Sequence, residues 1–234
     1  MYSTQTRSEI EFQADDVFAP TASPTSAWDD DGPDAEGVIF ARGRRVVLRT
    51  LRRADLPVLS QWARSAFLRE MVGSELLHTY RTIYRESPAF LDMLRADASQ
   101  LNLVIVAPGW DRPVGMVRLF NVHREDGYAF FETMIAEGRA LRLGFGIEAS
   151  KLLAYYAIDV MGLRRLEAKV YEHNLLSINT MKRRGWQLEG TLRQAVLHHG
   201  RYENLLVFGI LRDEIEAQKL DDSWTPVYPA FPGA

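Results

Sequence analysis

Two glycines and two arginines between residues 138 and 147 have the types and spacing of an anion-binding loop. Gly144 and Gly146 stand where a predicted strand gives way to the N-terminus of a predicted helix. Glycine lets the backbone approach a ligand closely, and the first amide hydrogens of a helix have no partner within the helix. Those amides and the helix dipole favour negative charge, and Arg139 and Arg142 add side chains suited to phosphate oxygens. The segment predicts a phosphate-binding site, although a strand-to-helix loop without a ligand has the same pattern.

The histidines are the second group of residues that could do chemistry, and they are scattered along the chain at positions 78, 123, 173, 198 and 199. No two of them have the His-x-x-x-His spacing that brings two imidazoles to one helix face, and the chain has no cysteine. A bound metal is therefore not expected. His198 and His199 lie at a predicted hairpin end, where they are either alternative bases or simple turn residues. The same two interpretations apply to His173.

The hydrophobic pattern places the glycine loop between a meander of strands and a long helix. Predicted strands cover residues 46–51, 101–107, 114–122, 128–135, 165–171, 187–197 and 204–211. Predicted helices cover 55–66 and 89–97 with broken helical segments between them, the stretch from Gly146 to just before Gly162, and 177–184. Asp and Ser caps followed by proline mark the starts of the first two helices.

Composition indicates one globular domain with two atypical ends. The chain has 234 residues, of which 47% are hydrophobic and 25% charged, as in ordinary soluble proteins. Residues 1–37 carry nine acids and one base among Ser, Thr, Pro and Gly, a composition that predicts a disordered or loosely docked arm. Residues 219–234 contain three prolines and predict an extended arm. The folded domain is therefore expected over 38–218.

Charge and hydropathy also exclude several classes of protein. No apolar run approaches the ~18–20 residues of a membrane span, and the first residues lack the pattern of a signal peptide, so a cytoplasmic location is expected. Beyond residue 37 the net charge is only +5, which is too weak for a nucleic-acid footprint. A mildly basic body suits a small polyanionic ligand, but an ordinary domain with a solvated acidic tail would look the same.

Several short motifs occupy a fixed order from the glycine loop onwards. They are 142–149 (RLGFGIEA), 163–170 (LRRLEAKV), 174–177 (NLLS), 184–186 (RGW), 188–193 (LEGTLR) and the turn at Gly200. In order and spacing they resemble the GNAT superfamily of N-acyltransferases, especially its Rim-type branch, which includes N-terminal acetyltransferases of ribosomal proteins. The resemblance covers Gly144 to Leu211 well and residues 45–143 in element order, whereas the two arms match nothing.

The resemblance implies an α/β fold with a mixed, largely antiparallel sheet of about seven strands, flanked by helices and split where an acyl-coenzyme A binds. The glycine loop would hold the pyrophosphate, and pantetheine would run along the end of strand 128–135 like an added strand. Asn174 would hydrogen-bond the pantetheine arm, with helix capping as its alternative role. Leu141 stands where the family usually has Gln or Arg, so side-chain charge would come from Arg139 or Arg142. The implied coenzyme contacts are Met134, Ile135, Ala136, Arg139, Arg142, Leu143, Gly144, Phe145, Gly146, Ile147, Asn174 and Ser177.

Aminolysis of a thioester needs a neutral amine, a donor for the oxyanion and a proton for the leaving thiolate. Many family members supply that proton from a tyrosine in the short helix, but the matching position here is Met181. Ser177, one helical turn earlier, is the substitute that we predict, with N-capping of the same helix as its alternative role. Glu132 is the implied base, and the alternative is an ordinary solvent-facing strand residue.

These observations predict an enzyme that moves an acyl group, acetyl by default, from coenzyme A to a primary amine. No Ser, His and acid set has a nucleophile-elbow pattern, so direct transfer in a ternary complex is expected. The acceptor is a small-molecule amine or a protein N-terminus, and the chain is a monomer or a homodimer. One alternative is an acyltransferase of specialised metabolism or drug modification that uses a longer acyl chain or an acyl carrier protein thioester. The other is a catalytically silent coenzyme-binding module.

Overall fold

An eight-stranded sheet forms the centre of the protein. The computed structural model describes residues 37–222, 224 and 226–228, so almost all of the predicted acidic arm lies outside the described residues. The strands are β1 (Ile39–Arg42), β2 (Val47–Thr50), β3 (Leu101–Val106), β4 (Gly115–His123), β5 (Tyr128–Ile135), β6 (Arg165–Tyr171), β7 (Gln187–His198) and β8 (Arg201–Leu211). Their spatial order is β1-β2-β3-β4-β5-β6-β8-β7.

Strand direction confirms the predicted α/β fold with a mixed, largely antiparallel sheet. Neighbouring strands are antiparallel throughout, except that β5 and β6 run parallel. The sheet has eight strands, whereas about seven were expected. The additional strand is β1, which is only four residues long and was not predicted. Phe40 and Ala41 of β1 are fully buried, so this strand is stabilised by the tertiary packing of its side chains and by pairing with β2.

Seven helices flank the sheet in the described part of the chain. They are α1 (Leu56–Arg64), α2 (Ala66–Met71), α3 (Glu75–Thr82), α4 (Ala89–Ala96), α5 (Phe145–Asp159), α6 (Leu175–Arg183) and α7 (Arg212–Asp221). The broken helical segment predicted after residue 66 is α2 and α3, which meet at Gly73 with a positive φ. Helix α7 was not predicted because most of its residues are polar and only Ile215 is buried.

Strand alternation directs apolar side chains into a separate core on each face of the sheet. Leu103 and Ile105 of β3 pack in the core that contains Leu152 of α5. Val104 lies between them and points to the other face. There it packs in the second core, which is formed with Trp62 of α1 and with residues of α2, α3 and α4. Helix α5 is therefore the main helix on one face, where Ile215 of α7 joins the same core, whereas the four short helices α1 to α4 cover the other.

The C-terminal residues that the structure describes pack on the domain. Helix α7 runs three residues past the predicted boundary at 218. Trp224 lies 6.3 Å from Tyr155 of α5, measured between ring centroids. Val227 forms an antiparallel bridge with Arg42 at the end of β1. Among the described residues, no helix is long and apolar enough to cross a membrane.

Candidate active site

The parallel strands β5 and β6 are paired over only three positions, and this creates an opening in the sheet. Tyr128–Phe130 pairs with Arg165–Glu167, and beyond these residues the two strands separate. The edge of β5 from Phe131 to Ile135 is therefore left without a strand partner on the β6 side. We call this opening the split. It confirms the interrupted sheet that the resemblance implied.

A cavity of about 390 Å³ lies on one side of the split, between α5 and α6. We call it the α5–α6 cavity. Its floor is formed by alternate residues of β5, namely Phe131, Thr133 and Ile135. Its walls are mainly apolar and include the following residues of the loop and helices: Ala140, Leu141, Arg142, Gly144, Phe145, Gly146, Ile147, Ser150, Lys151, Ala154, Tyr155, Leu176, Ser177, Thr180, Met181, Arg183 and Arg184.

The start of α5 opens directly onto this cavity. Gly144 is the N-cap in a left-handed conformation with φ +82°, and no side chain caps the helix. The first amide hydrogens are therefore available to an anion that enters the cavity. A Cβ atom on Gly146 would lie 3.1 Å from Ile135 Cγ1, so the helix approaches β5 closely here and a larger residue would require the Ile135 side chain to shift. Arg45 donates hydrogen bonds to the Leu143 carbonyl and to the buried carboxylate of Glu148, and it fixes the loop from outside.

Seven of the predicted coenzyme contacts line the α5–α6 cavity. They are Ile135, Arg142, Gly144, Phe145, Gly146, Ile147 and Ser177. The lining does not include Met134, Ala136, Arg139, Leu143 or Asn174. Met134 is buried in the opposite core because strand alternation turns it away from Thr133 and Ile135. Arg139 is exposed, and its guanidinium lies 5.5 Å from the ring centroid of Trp110.

The cavity has positive side chains that the sequence argument missed. Lys151 of α5 and Arg183 and Arg184 at the end of α6 line it together with Arg142. Lys151 lies on the same helix as the glycine loop, two turns into α5, so helical spacing could have indicated it. The two arginines lie about 40 positions further along the chain, and only the packing of α6 against the split brings them to this cavity.

Asn174 and Ser177 have different roles at the start of α6. Asn174 is the N-cap: its Oδ1 accepts a hydrogen bond from the Ser177 amide at 3.0 Å, and its Nδ2 donates to the Met71 carbonyl at 2.6 Å. Asn174 thus has the capping role that was its alternative. Ser177 is the third residue after the cap, so capping is not its role. It is partly buried and lines the cavity.

Glu132 lies on the opposite face of β5 from the cavity. Its carboxylate accepts hydrogen bonds from Ser74 Oγ at 2.7 Å and from Arg118 Nη2 at 3.1 Å. The Glu132 side chain is only 17% exposed, so it is not an ordinary solvent-facing strand residue. Tyr171, at the end of β6, lies near this carboxylate. Burial, and then the charge of Glu132, raise the pKa of the Tyr171 hydroxyl.

A second cavity, of about 340 Å³, lies on the Glu132 side of the split. We call it the α1–α3 cleft. It is lined by Trp62, Ala63, Leu68, Arg69, Gly73, Ser74, Glu75, Leu77, His78, Arg81 and Tyr171. Ser74 belongs to the cleft lining and also binds Glu132, and Tyr171 ends the strand that borders the split. The split is thus flanked by a cavity on each face of the sheet.

Comparison with known proteins assigns this arrangement to a family. The signature described as "Acetyltransferase (GNAT) domain" matches residues 45–187. The chain belongs to the GNAT acetyltransferases. Members of this family use acetyl-coenzyme A as their acyl donor. The glycine loop, the uncapped start of α5 and the basic residues of the α5–α6 cavity fit the phosphates of that donor.

Individual relatives support the same assignment. Alpha/beta-tubulin-N-acetyltransferase 9 of Mus musculus is 31% identical over 151 residues, which are 60% of this chain and 61% of that protein. A Bacillus subtilis protein named Probable N-acetyltransferase YjcK is 31% identical over 106 residues, 45% of this chain and 59% of that protein. The chain therefore spans about three fifths of the length of these two relatives.

Solved structures of GNAT acetyltransferases have the same fold. The spermidine N-acetyltransferase of Vibrio cholerae, in complex with CoA and spermine, matches with a TM-score of 0.66 and 18% identity over 74% of this chain and 99% of its own. A GCN5-related N-acetyltransferase from Brucella melitensis matches with a TM-score of 0.63 and 23% identity over 80% of this chain and 85% of its own.

The fold also brings together histidines that are scattered in the sequence. His173, His198 and His199 gather beside the α1–α3 cleft with two carboxylates, Glu70 and Glu203. His199 Nε2 lies 3.2 Å from Glu70 Oε1, although the two residues are 129 positions apart. Linear spacing could not reveal this group, because its members come from α2, the loop after β6 and the β7–β8 hairpin.

Proposed function

We propose that this GNAT protein transfers an acetyl group from acetyl-coenzyme A to a primary amine, directly and within a ternary complex. The observation that carries the proposal is the split, which has a cavity on each face of the sheet. The α5–α6 cavity presents the uncapped helix start to a polyanion, and the α1–α3 cleft approaches the same opening from the side of Glu132. Two substrates can therefore meet at the split without a covalent acyl-enzyme.

The coenzyme occupies the α5–α6 cavity in this proposal. Its pyrophosphate binds the amides of Gly144 to Ile147, and Lys151, Arg183 and Arg184 supply charge. The pantetheine arm pairs with the free edge of β5 next to Thr133 and Ile135. This arrangement directs the thioester towards the split.

Glu132 and Ser177 lie on opposite sides of the reacting atoms and take the two proton-transfer roles. Glu132 accepts a proton from the ammonium form of the acceptor, directly or through water, because only the neutral amine is nucleophilic. The amine nitrogen then bonds to the thioester carbon, and the carbon–sulfur bond breaks. Ser177 donates its hydroxyl proton to the departing thiolate and recovers a proton from the nitrogen that has formed the amide.

The residues that line the α1–α3 cleft indicate which kind of acceptor it would bind. Trp62, Leu68 and Leu77 give it an apolar wall, while Arg69 and Arg81 line its rim. We therefore propose that the acceptor has an apolar body and a negatively charged group near its amine, as some protein N-termini do. A polyamine such as spermine, which accompanies the Vibrio cholerae enzyme, would be disfavoured, because the two arginines outnumber Glu75, the one carboxylate in the lining of the cleft. Membership of the Rim-type branch would agree with an N-terminal acceptor.

A thiol-release assay tests the proposal. The panel contains peptides with acidic and basic second residues, aromatic amines and spermidine, each with acetyl-coenzyme A and with longer acyl donors, including an acyl carrier protein thioester. We expect turnover with acetyl-coenzyme A and the acidic peptides, and little with spermidine. Coenzyme binding without thiol release for any amine would instead favour a silent binding module, for which Met181 at the family's tyrosine position is the supporting observation.

A further inference from the structure

A cluster of three histidines and two glutamates joins three separate parts of the fold. Glu70 comes from α2, His173 from the loop between β6 and α6, and His198, His199 and Glu203 from the tip of the β7–β8 hairpin. We call these residues the histidine cluster. None of them has a role in the proposed transfer.

The inner part of the histidine cluster has the donor set of a metal site. His173 Nδ1 lies 2.6 Å from Glu203 Oε2, and His198 Nδ1 lies 3.0 Å from Glu203 Oε1. The two imidazole rings are stacked with their centroids 4.2 Å apart, and both Nδ1 atoms contact the same carboxylate. All three donor atoms fall within 4.8 Å of one another. Ligands about 2.0–2.2 Å from a tetrahedral Zn²⁺ are roughly 3.3 Å apart, a separation close to that of the donor atoms here. Because a metal–imidazole bond lies in the ring plane, one of the two stacked rings must rotate out of the stack to admit an ion.

The outer contacts orient these ligands as they are oriented in metalloproteins. His173 Nε2 donates a hydrogen bond to the Glu70 carbonyl at 2.9 Å, which leaves Nδ1 as the nitrogen for a cation. His198 Nε2 is buried without a hydrogen-bond partner among the described residues, and it lies 3.9 Å from Glu70 Oε1. The Glu70 carboxylate also contacts His199 Nε2. A small movement of Glu70 would satisfy His198 and complete the outer shell.

We propose that His173, His198 and Glu203 bind a divalent transition-metal ion of the zinc type, with Glu70 as its outer partner. Two imidazoles and one carboxylate suit Zn²⁺ and similar ions better than Mg²⁺ or Ca²⁺, which require mostly oxygen ligands. Water or a further side chain would complete the coordination.

The position of the site indicates what the ion would do. The His173 ring lies 5.3 Å from the ring of Tyr171, which lines the α1–α3 cleft. Glu70 is at the end of α2, next to the turn through Gly73 that borders the same cleft. A bound ion would therefore fasten the hairpin tip to the wall of the cleft. Its effect is structural and does not depend on whether the protein is an active transferase.

Metal titration of the full-length, tag-free chain tests the proposal. After dialysis against a chelator, Zn²⁺ is titrated by isothermal calorimetry, and Co²⁺ provides an absorption spectrum that reports coordination. We expect one equivalent of Zn²⁺ to bind, to raise the melting temperature, and not to be displaced by excess Mg²⁺. Glu203→Gln and His173→Ala should each weaken binding at least ~100-fold. His123→Gln, an exposed histidine outside the cluster, is the matched control and should bind like the wild type.

Two results would overturn the proposal. One is the absence of stoichiometric Zn²⁺ binding by the wild-type chain, which would leave the cluster as a set of hydrogen-bonded side chains. The other is binding that persists unchanged in Glu203→Gln, a variant that keeps the size of the side chain and one hydrogen-bond acceptor. Circular dichroism of each variant before titration separates lost binding from lost folding, and a misfolded His173→Ala is replaced by His173→Gln.

Discussion

The two faces of the split differ in how far apart in the sequence their residues lie. All but three residues of the α5–α6 cavity come from the segment 131–186, and the glycine loop supplies several of them in succession. On the other face, Glu132 is held by Ser74, 58 positions away, and the α1–α3 cleft combines three short helices with Tyr171. One face depends on local backbone geometry, and the other depends on tertiary contacts.

If the proposed function is correct, this difference separates coenzyme binding from specificity for the acceptor. A helix N-terminus recognises phosphate through main-chain groups, so the loop can bind the coenzyme with few required side chains. The α1–α3 cleft, in contrast, presents side chains on elements that can vary independently of the coenzyme site. We expect substitutions on the first face to change coenzyme affinity, and substitutions on the second to change acceptor turnover.

The largest predicted effect is on the first face, at Gly146. Gly146→Asp would place a negative charge against the pyrophosphate and add a Cβ atom only 3.1 Å from Ile135 Cγ1. Acetyl-coenzyme A should raise the melting temperature of the wild-type protein by mass action, and this rise should be lost in the variant. Gly138→Ala is the control, because no atom lies within 4 Å of a Cβ there. If acetyl-coenzyme A raised the melting temperature of Gly146→Asp as much as that of the wild type, the loop would not be part of the coenzyme site.

The same division explains how much could be predicted from the sequence. Most strands, α5 and the glycine loop follow from hydrophobic period, caps and glycine placement, all of which are local signals. Strand β1 and helix α7 could not be predicted in this way, since β1 depends on burial of Phe40 and α7 has a single buried residue, Ile215.

The candidate site shows the same limit residue by residue. Glycines 144 and 146 were predicted from their position before a helix, and they line the cavity. Met134 was predicted as a contact along the edge of β5. Its side chain lies in the other core, because successive strand residues point to opposite faces, while its main chain lies on the part of the edge that β6 leaves unpaired. Arg184 and the histidine cluster were missed because their neighbours in space are distant in sequence.

The next largest effect is expected on the second face, at Glu132. If Glu132 takes the proton from the amine, Glu132→Gln should lower kcat by ~100–10,000-fold while coenzyme affinity stays the same. Ser74→Ala removes one hydrogen bond to Glu132 and keeps its charge, so it should cost much less. Steady-state kinetics with calorimetric coenzyme binding measures both quantities.

Two controls distinguish this role from a structural one. Glu132 is the partner of Arg118, which is only 5% exposed, so the variant must be checked for lost stability by its melting temperature. Glu125→Gln, in an exposed turn, should behave like the wild type. Wild-type turnover in a stable Glu132→Gln protein would show that another group accepts the proton.

A smaller effect is predicted at Ser177, which lines the α5–α6 cavity beside the split. Ser177→Ala should lower turnover by ~10–100-fold if the hydroxyl protonates the leaving thiolate. Coenzyme affinity should change little, and helix α6 should persist because Asn174 is its cap. Asn179→Ala, on an exposed position of the same helix, is the control. A donor with a better leaving thiol should restore most of the loss, whereas no rescue would assign Ser177 to packing alone.

The smallest effect on the site is predicted for a substitution of Asp222. This residue follows α7 and connects the end of that helix to α5, which lines the α5–α6 cavity. Its carboxylate accepts hydrogen bonds from Lys151 Nζ and, at 2.6 Å, from the Tyr155 hydroxyl. Burial alone would raise the pKa of the Asp222 carboxyl, but these two bonds outweigh it and hold that pKa below its ordinary value. The carboxylate therefore stabilises the folded state at neutral pH.

Asp222→Asn should lower the free energy of unfolding at pH 7 by about 1.5–3 kcal/mol, the range for hydrogen bonds to a charged group. Because the folded-state pKa is depressed, this contribution is present above the unfolded-state value of about 3.9 and is lost as the pH falls through the folded-state value. Urea unfolding at several pH values should show the two proteins converging in acid, while Asp221→Asn, an exposed neighbour, matches the wild type throughout. Unchanged coenzyme affinity in a destabilised Asp222→Asn would show that the coenzyme face relies on its loop more than on the helix packed behind it. A large loss of affinity would instead mean that α7 positions Lys151, and that this face also depends on contacts distant in sequence.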